Sequence, residues 1–121
     1  MAQKPLVLSY AGCSTCKRAL RWLSDHGVDV DVRAIVERPP SAEELASWVP
    51  TSGRPIRKWL NTSGLSYRAL GKDKVDAASD GDLLGWLARD GKLVKRPVLV
   101  GENDVLVGFD EAAYGAMFGK R

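Results

Sequence analysis

The chain has 121 residues, enough for one domain-sized core and not for two. With 45% apolar and 27% charged residues, and no run near the roughly 20 apolar residues that span a bilayer, the composition excludes disordered and membrane-embedded classes. Eighteen Lys and Arg against fifteen Asp and Glu leave a net charge of +3, with the signs interleaved. That balance argues against a nucleic-acid binder and suits small anions, a glutathione carboxylate or an acidic protein partner.

Residues 1–5 lead straight into a strand-like segment rather than a signal peptide, so the cytoplasm is the expected compartment. Residues 6–10 read as a short buried strand ending at Ala11-Gly12. A helix begins at Cys13-Ser14 with Ala19, Leu20, Trp22 and Leu23 at apolar positions, and it stops at His26-Gly27, where glycine supplies the left-handed cap. Residues 28–36 alternate Val28, Val30 and Val32 with Asp29, Asp31 and Arg33, the period of a half-buried strand. A strand, helix and strand of this length make a right-handed parallel crossover.

Arg38-Pro39-Pro40 interrupts the pattern, and Ser41 with Glu44 forms a capping box opening a helix to about Val49. Pro55 begins a helical segment to Leu60, residues 67–70 read as a further turn, and residues 80–89 carry Leu83, Leu84, Trp86 and Leu87 at helical spacing. Residues 97–100 and 105–107 are rich in β-formers and joined by the turn Gly101-Glu102-Asn103-Asp104. A last helix runs from Asp110 as N-cap to about Phe118. The four tryptophans, Trp22, Trp48, Trp59 and Trp86, all fall on apolar helical positions and read as core packing.

The two cysteines are the whole inventory, and their C-x-x-C spacing falls on the first strand-to-helix turn. Zinc would need three or four ligands, and besides the pair there is only His26 unless Asp or Glu completes a set, so no metal or bound cofactor is expected. Helix N-terminal amides and the macrodipole favour a thiolate at Cys13, with Lys17 and Arg18 adding positive charge one turn on. Cys13 is therefore assigned as nucleophile, and Cys16, inside the first turn, as the thiol that resolves a mixed disulfide. His26 lies at the far end of the same helix and reads as a C-terminal cap rather than a base.

The order βαβ, helices, ββα specifies an α/β thioredoxin-like fold with a mixed central sheet. A single domain 1–121 is expected, its core at 1–36 and 93–121, with a helical insertion at 37–92. In that order Pro97, at the start of a strand, becomes a cis-proline facing Cys13, with Arg96 beside it as an anion ligand.

Several segments together resemble the arsenate reductase (ArsC), Spx and YffB superfamily over almost the full length. They are Gly12-Cys13-Ser14-Thr15-Cys16-Lys17-Arg18-Ala19, Arg38-Pro39-Pro40-Ser41, Leu60-Asn61-Thr62-Ser63-Gly64 with Tyr67-Arg68, Lys95-Arg96-Pro97, and Val107-Gly108-Phe109. The resemblance implies a catalytic cysteine at Cys13, and a monomer is the default expectation. It also implies anion or substrate contacts from Arg96, Pro97, Lys17 and Asn61, and glutathione, glutaredoxin or thioredoxin as reductant. Glutaredoxin-linked arsenate reductases bind their oxyanion with three arginines; Arg96 matches one, and the other two positions hold Asn61 and Phe109. The implied activity is thus a thiol-disulfide oxidoreductase of arsenate-reductase type. The alternative is an Spx-like redox-sensing regulator that binds the RNA polymerase α subunit.

Overall fold

A computed structural model describes residues 4–118. The chain falls into two units, one formed by residues up to Ala34 and those from Arg96 onward, the other by Ile35–Lys95.

The first unit is built on a four-stranded mixed sheet of order β2-β1-β3-β4, with β1 Leu6–Ser9, β2 Asp31–Ala34, β3 Val98–Val100 and β4 Val105–Val107. β1 pairs in parallel with β2, Val7 opposite Val32, and antiparallel with β3, Val7 opposite Leu99. β3 and β4 form the hairpin, closed by Gly101 N–H donating to the Asp104 carbonyl at 2.8 Å. Helix α1, Ser14–Asp25, crosses between the parallel strands. Its apolar stripe meets the helix at the C-terminal end of the unit, α6 Glu111–Phe118, in a core of Val7, Ala19, Leu23, Leu99 and Tyr114. Asp110 opens α6 as expected of an N-cap, its carboxylate accepting from Ala112 N–H at 3.1 Å.

β2 is shorter than the alternation of residues 28–36 predicts. Pairing begins at Asp31 because β1 offers only four residues, while Val28 and Val30 pack against the core before the strand starts. Val32 is 54% exposed, so the expected half-buried face does not extend through the paired part. At the end of α1 the expected cap is present. Gly27 takes φ of 72°, Val28 N–H reaches the Leu23 carbonyl at 2.9 Å, and His26 turns its Nδ1 to within 2.8 Å of the Trp22 carbonyl oxygen.

The second unit is helical. Its longer members are α2 Ala42–Ser52 and α5 Asp80–Arg89, with the short α3 Leu65–Leu70 and α4 Lys72–Ala77 between them. Single 3-10 turns occupy Ile56–Trp59 and Gly91–Leu93. The Ser41–Glu44 capping box is formed in both directions, at 3.0 and 2.9 Å, and α2 continues beyond Val49 through Pro50 to a left-handed Gly53. Trp59, Leu45, Leu83, Leu87 and Leu93 are fully buried in this unit, a burial that favours folding by about 2–3 kcal/mol for each large side chain. Trp22, Trp48 and Trp86 are only half-buried, so the core reading holds fully for Trp59 alone. Gly91 is required by close approach: a Cβ there would lie 1.9 Å from the Ile35 carbonyl oxygen.

Candidate active site

The chain leaves β1 through a turn in which Cys13 N–H donates to the Tyr10 carbonyl at 3.0 Å, which sets Cys13 as the N-cap of α1 in extended conformation. Caps are ordinarily Ser, Thr, Asp or Asn, whose oxygen accepts an orphan N–H of the first turn. Here sulfur takes that role: Cys16 N–H donates to Cys13 Sγ at 3.3 Å. The nucleophile assigned from sequence is thus already a hydrogen-bond acceptor, which favours its anion.

Arg96 immediately precedes β3, joined to Pro97 by a cis peptide bond, and Pro97 is buried with its carbonyl accepting from Gly108 N–H at 2.8 Å. The Arg96 guanidinium lies 4.6 Å from the centroid of the Tyr10 ring and acts on Cys13 both as a donor and as a charge. Partial burial pushes the Cys13 thiol up, but the hydrogen bonds from the Cys16 thiol and N–H, with the Arg96 charge, outweigh it, and the net displacement is downward. Cys16 goes the other way. It is fully buried, and burial together with the neighbouring Cys13 sulfur pushes its thiol up to about 11, against opposing hydrogen bonds from the Tyr10 backbone and the Ser9 side chain. Two thiols three residues apart are therefore pushed in opposite directions, the outer one toward its thiolate and the inner one toward its thiol.

Of the residues singled out from sequence, Cys13, Cys16 and Arg96 come together in the first unit, and Pro97 follows Arg96 through the cis bond. Lys17 does not join them as a charge: its side chain is exposed, and its link to Cys13 is the backbone bond from Lys17 N–H to the Cys13 carbonyl at 3.1 Å. Arg18 turns instead toward Phe109, 5.9 Å from the ring centroid. The cation acting on Cys13 is Arg96. Asn61 belongs to the other unit, where its N–H donates to the Leu93 carbonyl at 2.8 Å and its side chain closes a loop with Ser63 and the Lys92 carbonyl. Those bonds give Asn61 a structural role. Phe109 packs edge-on against Tyr114, centroids 4.9 Å apart. Among the described residues no three His, Cys, Asp or Glu side chains converge as a metal set.

Sequence reading missed Tyr10 and Ser9. Tyr10 follows a strand directly before the cysteine turn, and that position was the only available signal. Ser9 had none.

The mixed sheet, the crossover helix and a thiol pair at the first strand-to-helix turn define a thioredoxin-like protein. The chain belongs to the ArsC family, whose model matches residues 8–117. It is similar to the uncharacterised YusI of Bacillus subtilis, 43% identical over 84% of this chain and 87% of that one. It is also similar to the global transcriptional regulator Spx of Streptococcus pyogenes, 28% identical over 82% of this chain and 73% of the relative. Among solved structures, the possible arsenate reductase of Streptococcus mutans UA159 superposes with a TM-score of 0.85 and 40% identity, over 94% of this chain and 98% of that one. No helix among the described residues is long and apolar enough to cross a membrane.

Proposed function

We propose that this ArsC-family chain is a thiol-disulfide oxidoreductase, with Cys13 as nucleophile and Cys16 as resolving thiol. The observation that carries it is the placing of Cys13 as N-cap of α1 with Cys16 N–H donating to its sulfur at 3.3 Å, and the charge of Arg96 acting on the same sulfur accords with it. The Cys13 thiolate attacks a substrate disulfide, forming a mixed disulfide and expelling one substrate thiolate. Cys16 gives up its proton and attacks the Cys13 sulfur, forming the Cys13–Cys16 disulfide and releasing the second substrate thiolate. The substrate gains two electrons and the cysteine pair loses them. Glutathione, glutaredoxin or thioredoxin then returns the pair to thiols. Arg96 orients an anionic part of the substrate, and a lone arginine is weaker than a triple set for a divalent oxyanion, so arsenate is a poor substrate in this reading.

The test is alkylation rate against pH, with equilibration against glutathione, on the parent and on Cys16→Ser. The expected result is a Cys13 midpoint below the free value near 8.5 and a reversible internal disulfide. A slow, unperturbed Cys13 would refute the reading.

Similarity to Spx favours a second reading, in which the Cys13–Cys16 disulfide is a switch governing binding to the RNA polymerase α subunit. Pull-down with the α C-terminal domain separates the two. The oxidoreductase reading expects no complex in either redox state.

A further inference from the structure

The antiparallel register of β1 and β3 sets Leu8 opposite Val98. Carried two residues past the ends of that ladder, the same register sets Tyr10 opposite Arg96 as a cross-strand pair. The side chains meet accordingly. The Arg96 guanidinium carbon sits over the Tyr10 ring, 4.6 Å from its centroid, which is inside cation–π range. Both residues are half-buried, so water screens the contact less than on an open surface.

The ring is held from a second direction. A Cβ on Gly12 would lie 3.2 Å from Tyr10 Cε2, 3.7 Å from Cζ and 3.9 Å from Cδ2, so the bare Cα of Gly12 is what lets the ring lie against the turn. Gly12 is not one of the glycines with positive φ, and its backbone does not call for glycine; the Tyr10 ring does. The turn closes with Cys13 N–H donating to the Tyr10 carbonyl at 3.0 Å, which fixes Cys13 as the N-cap of α1. Gly12, the Tyr10 ring and Arg96 are thus packed in series on the turn that delivers Cys13, and the charge of Arg96 acts on the Cys13 sulfur.

We propose that Tyr10 is a positioning residue of the site: its ring, backed by Gly12, holds the Arg96 guanidinium where it receives the anionic part of a disulfide substrate beside Cys13. The proposal deepens the oxidoreductase reading given above and rests on it for the substrate. The ring does the holding and not the phenol oxygen, because a guanidinium is attracted to the face of the ring. A planar fork over a ring is restricted in where it can swing, so its N–H donors meet a carboxylate in a fixed place. Disulfides bearing a carboxylate near the sulfur are therefore preferred to uncharged ones.

The experiment follows the first attack by Cys13, in a Cys16→Ser background, on a dinitrobenzoate disulfide, which carries carboxylates, and on a dipyridyl disulfide, which carries none. In that step the Cys13 sulfur bonds to one reagent sulfur, the reagent disulfide breaks, and the other sulfur leaves with the electron pair. Tyr10→Leu should lower the ratio of the two rates, carboxylate over neutral, by about threefold to tenfold, while Tyr10→Phe keeps it. In an Arg96→Met background Tyr10→Leu should lower the ratio no further, which a general loosening of the turn would not reproduce. Gly12→Ala, whose Cβ presses on the ring, should shift the ratio the same way by less, and it decides the matter if Tyr10→Leu fails to fold. An unchanged ratio, or an equal drop with and without Arg96, overturns the proposal. A parent whose Cys13 reacts slowly with both reagents refutes the oxidoreductase reading instead. The NMR resonance of the Arg96 Nε–H then judges the placing: it should move in Tyr10→Leu and stay in Tyr10→Phe, and a resonance unmoved by Tyr10→Leu overturns the role of the ring.

Discussion

In the helical unit the Arg57 guanidinium donates to the carbonyl of Val75 at 2.9 Å and to that of Ala78, fastening the end of α4, whereas in the core unit the Arg96 guanidinium lies over Tyr10 beside a titratable sulfur. Both side chains are planar donors on long stems, and the difference lies in what faces them. Carbonyls at a helix end are fixed dipoles that cannot change state, so Arg57 contributes to stability alone. A sulfur that ionises more readily than a free thiol can change state, so in the proposed oxidoreductase Arg96 contributes to reactivity.

Arg57→Ala offers the most forceful test of that contrast. Two part-buried carbonyls lose a charged donor, and unfolding by denaturant should show a loss of about 2 kcal/mol, with the pH profile of Cys13 alkylation unmoved. Arg96→Met should do the reverse. The Cys13 midpoint rises toward the free value and the alkylation rate at neutral pH falls by roughly fivefold to tenfold, measured by stopped-flow thiol labelling.

The two sulfurs also leave opposite marks on stability against pH. Cys13 ionises more readily folded than unfolded, so its contribution grows as pH rises through its folded midpoint and is complete above the unfolded value near 8.5. Cys16 holds its proton in the folded state, so its contribution is lost as pH rises from that unfolded value through about 11, with Tyr114, also raised, extending the loss upward. Urea unfolding of the reduced protein across that alkaline range should fall in stability with pH, and Cys16→Ala should flatten the slope. The smallest effect expected is that of Lys17→Ala, less than about twofold on the Cys13 alkylation rate, because an exposed cation is screened. A larger effect would move Lys17 from the solvent into the site.

The sequence made the core elements legible where local pattern decides them. Residues 80–89 and 105–107 match α5 and β4 at both ends, and the Ser41–Glu44 box marks the start of α2. α4 escaped notice because one turn with Val75 as its buried residue has no period to read, and its end is held by Arg57 from far along the chain. The turn at Gly91–Leu93 escaped for a similar reason, since what forces it is the Ile35 backbone packed against Gly91. In the site, the C-x-x-C spacing and the Arg-Pro pair were visible as motifs. The Tyr10 ring beneath Arg96 depends on tertiary packing that no spacing encodes.

Because the sulfur proposed as nucleophile is also the acceptor that caps the start of α1, its covalent state is written into the backbone. A thiolate holds the Cys16 amide, and a sulfur tied up in a mixed disulfide or an alkyl adduct holds it less well. The exchange of that one amide with deuterated solvent is therefore a natural gauge of how far the reaction has gone, legible without any probe attached to the protein.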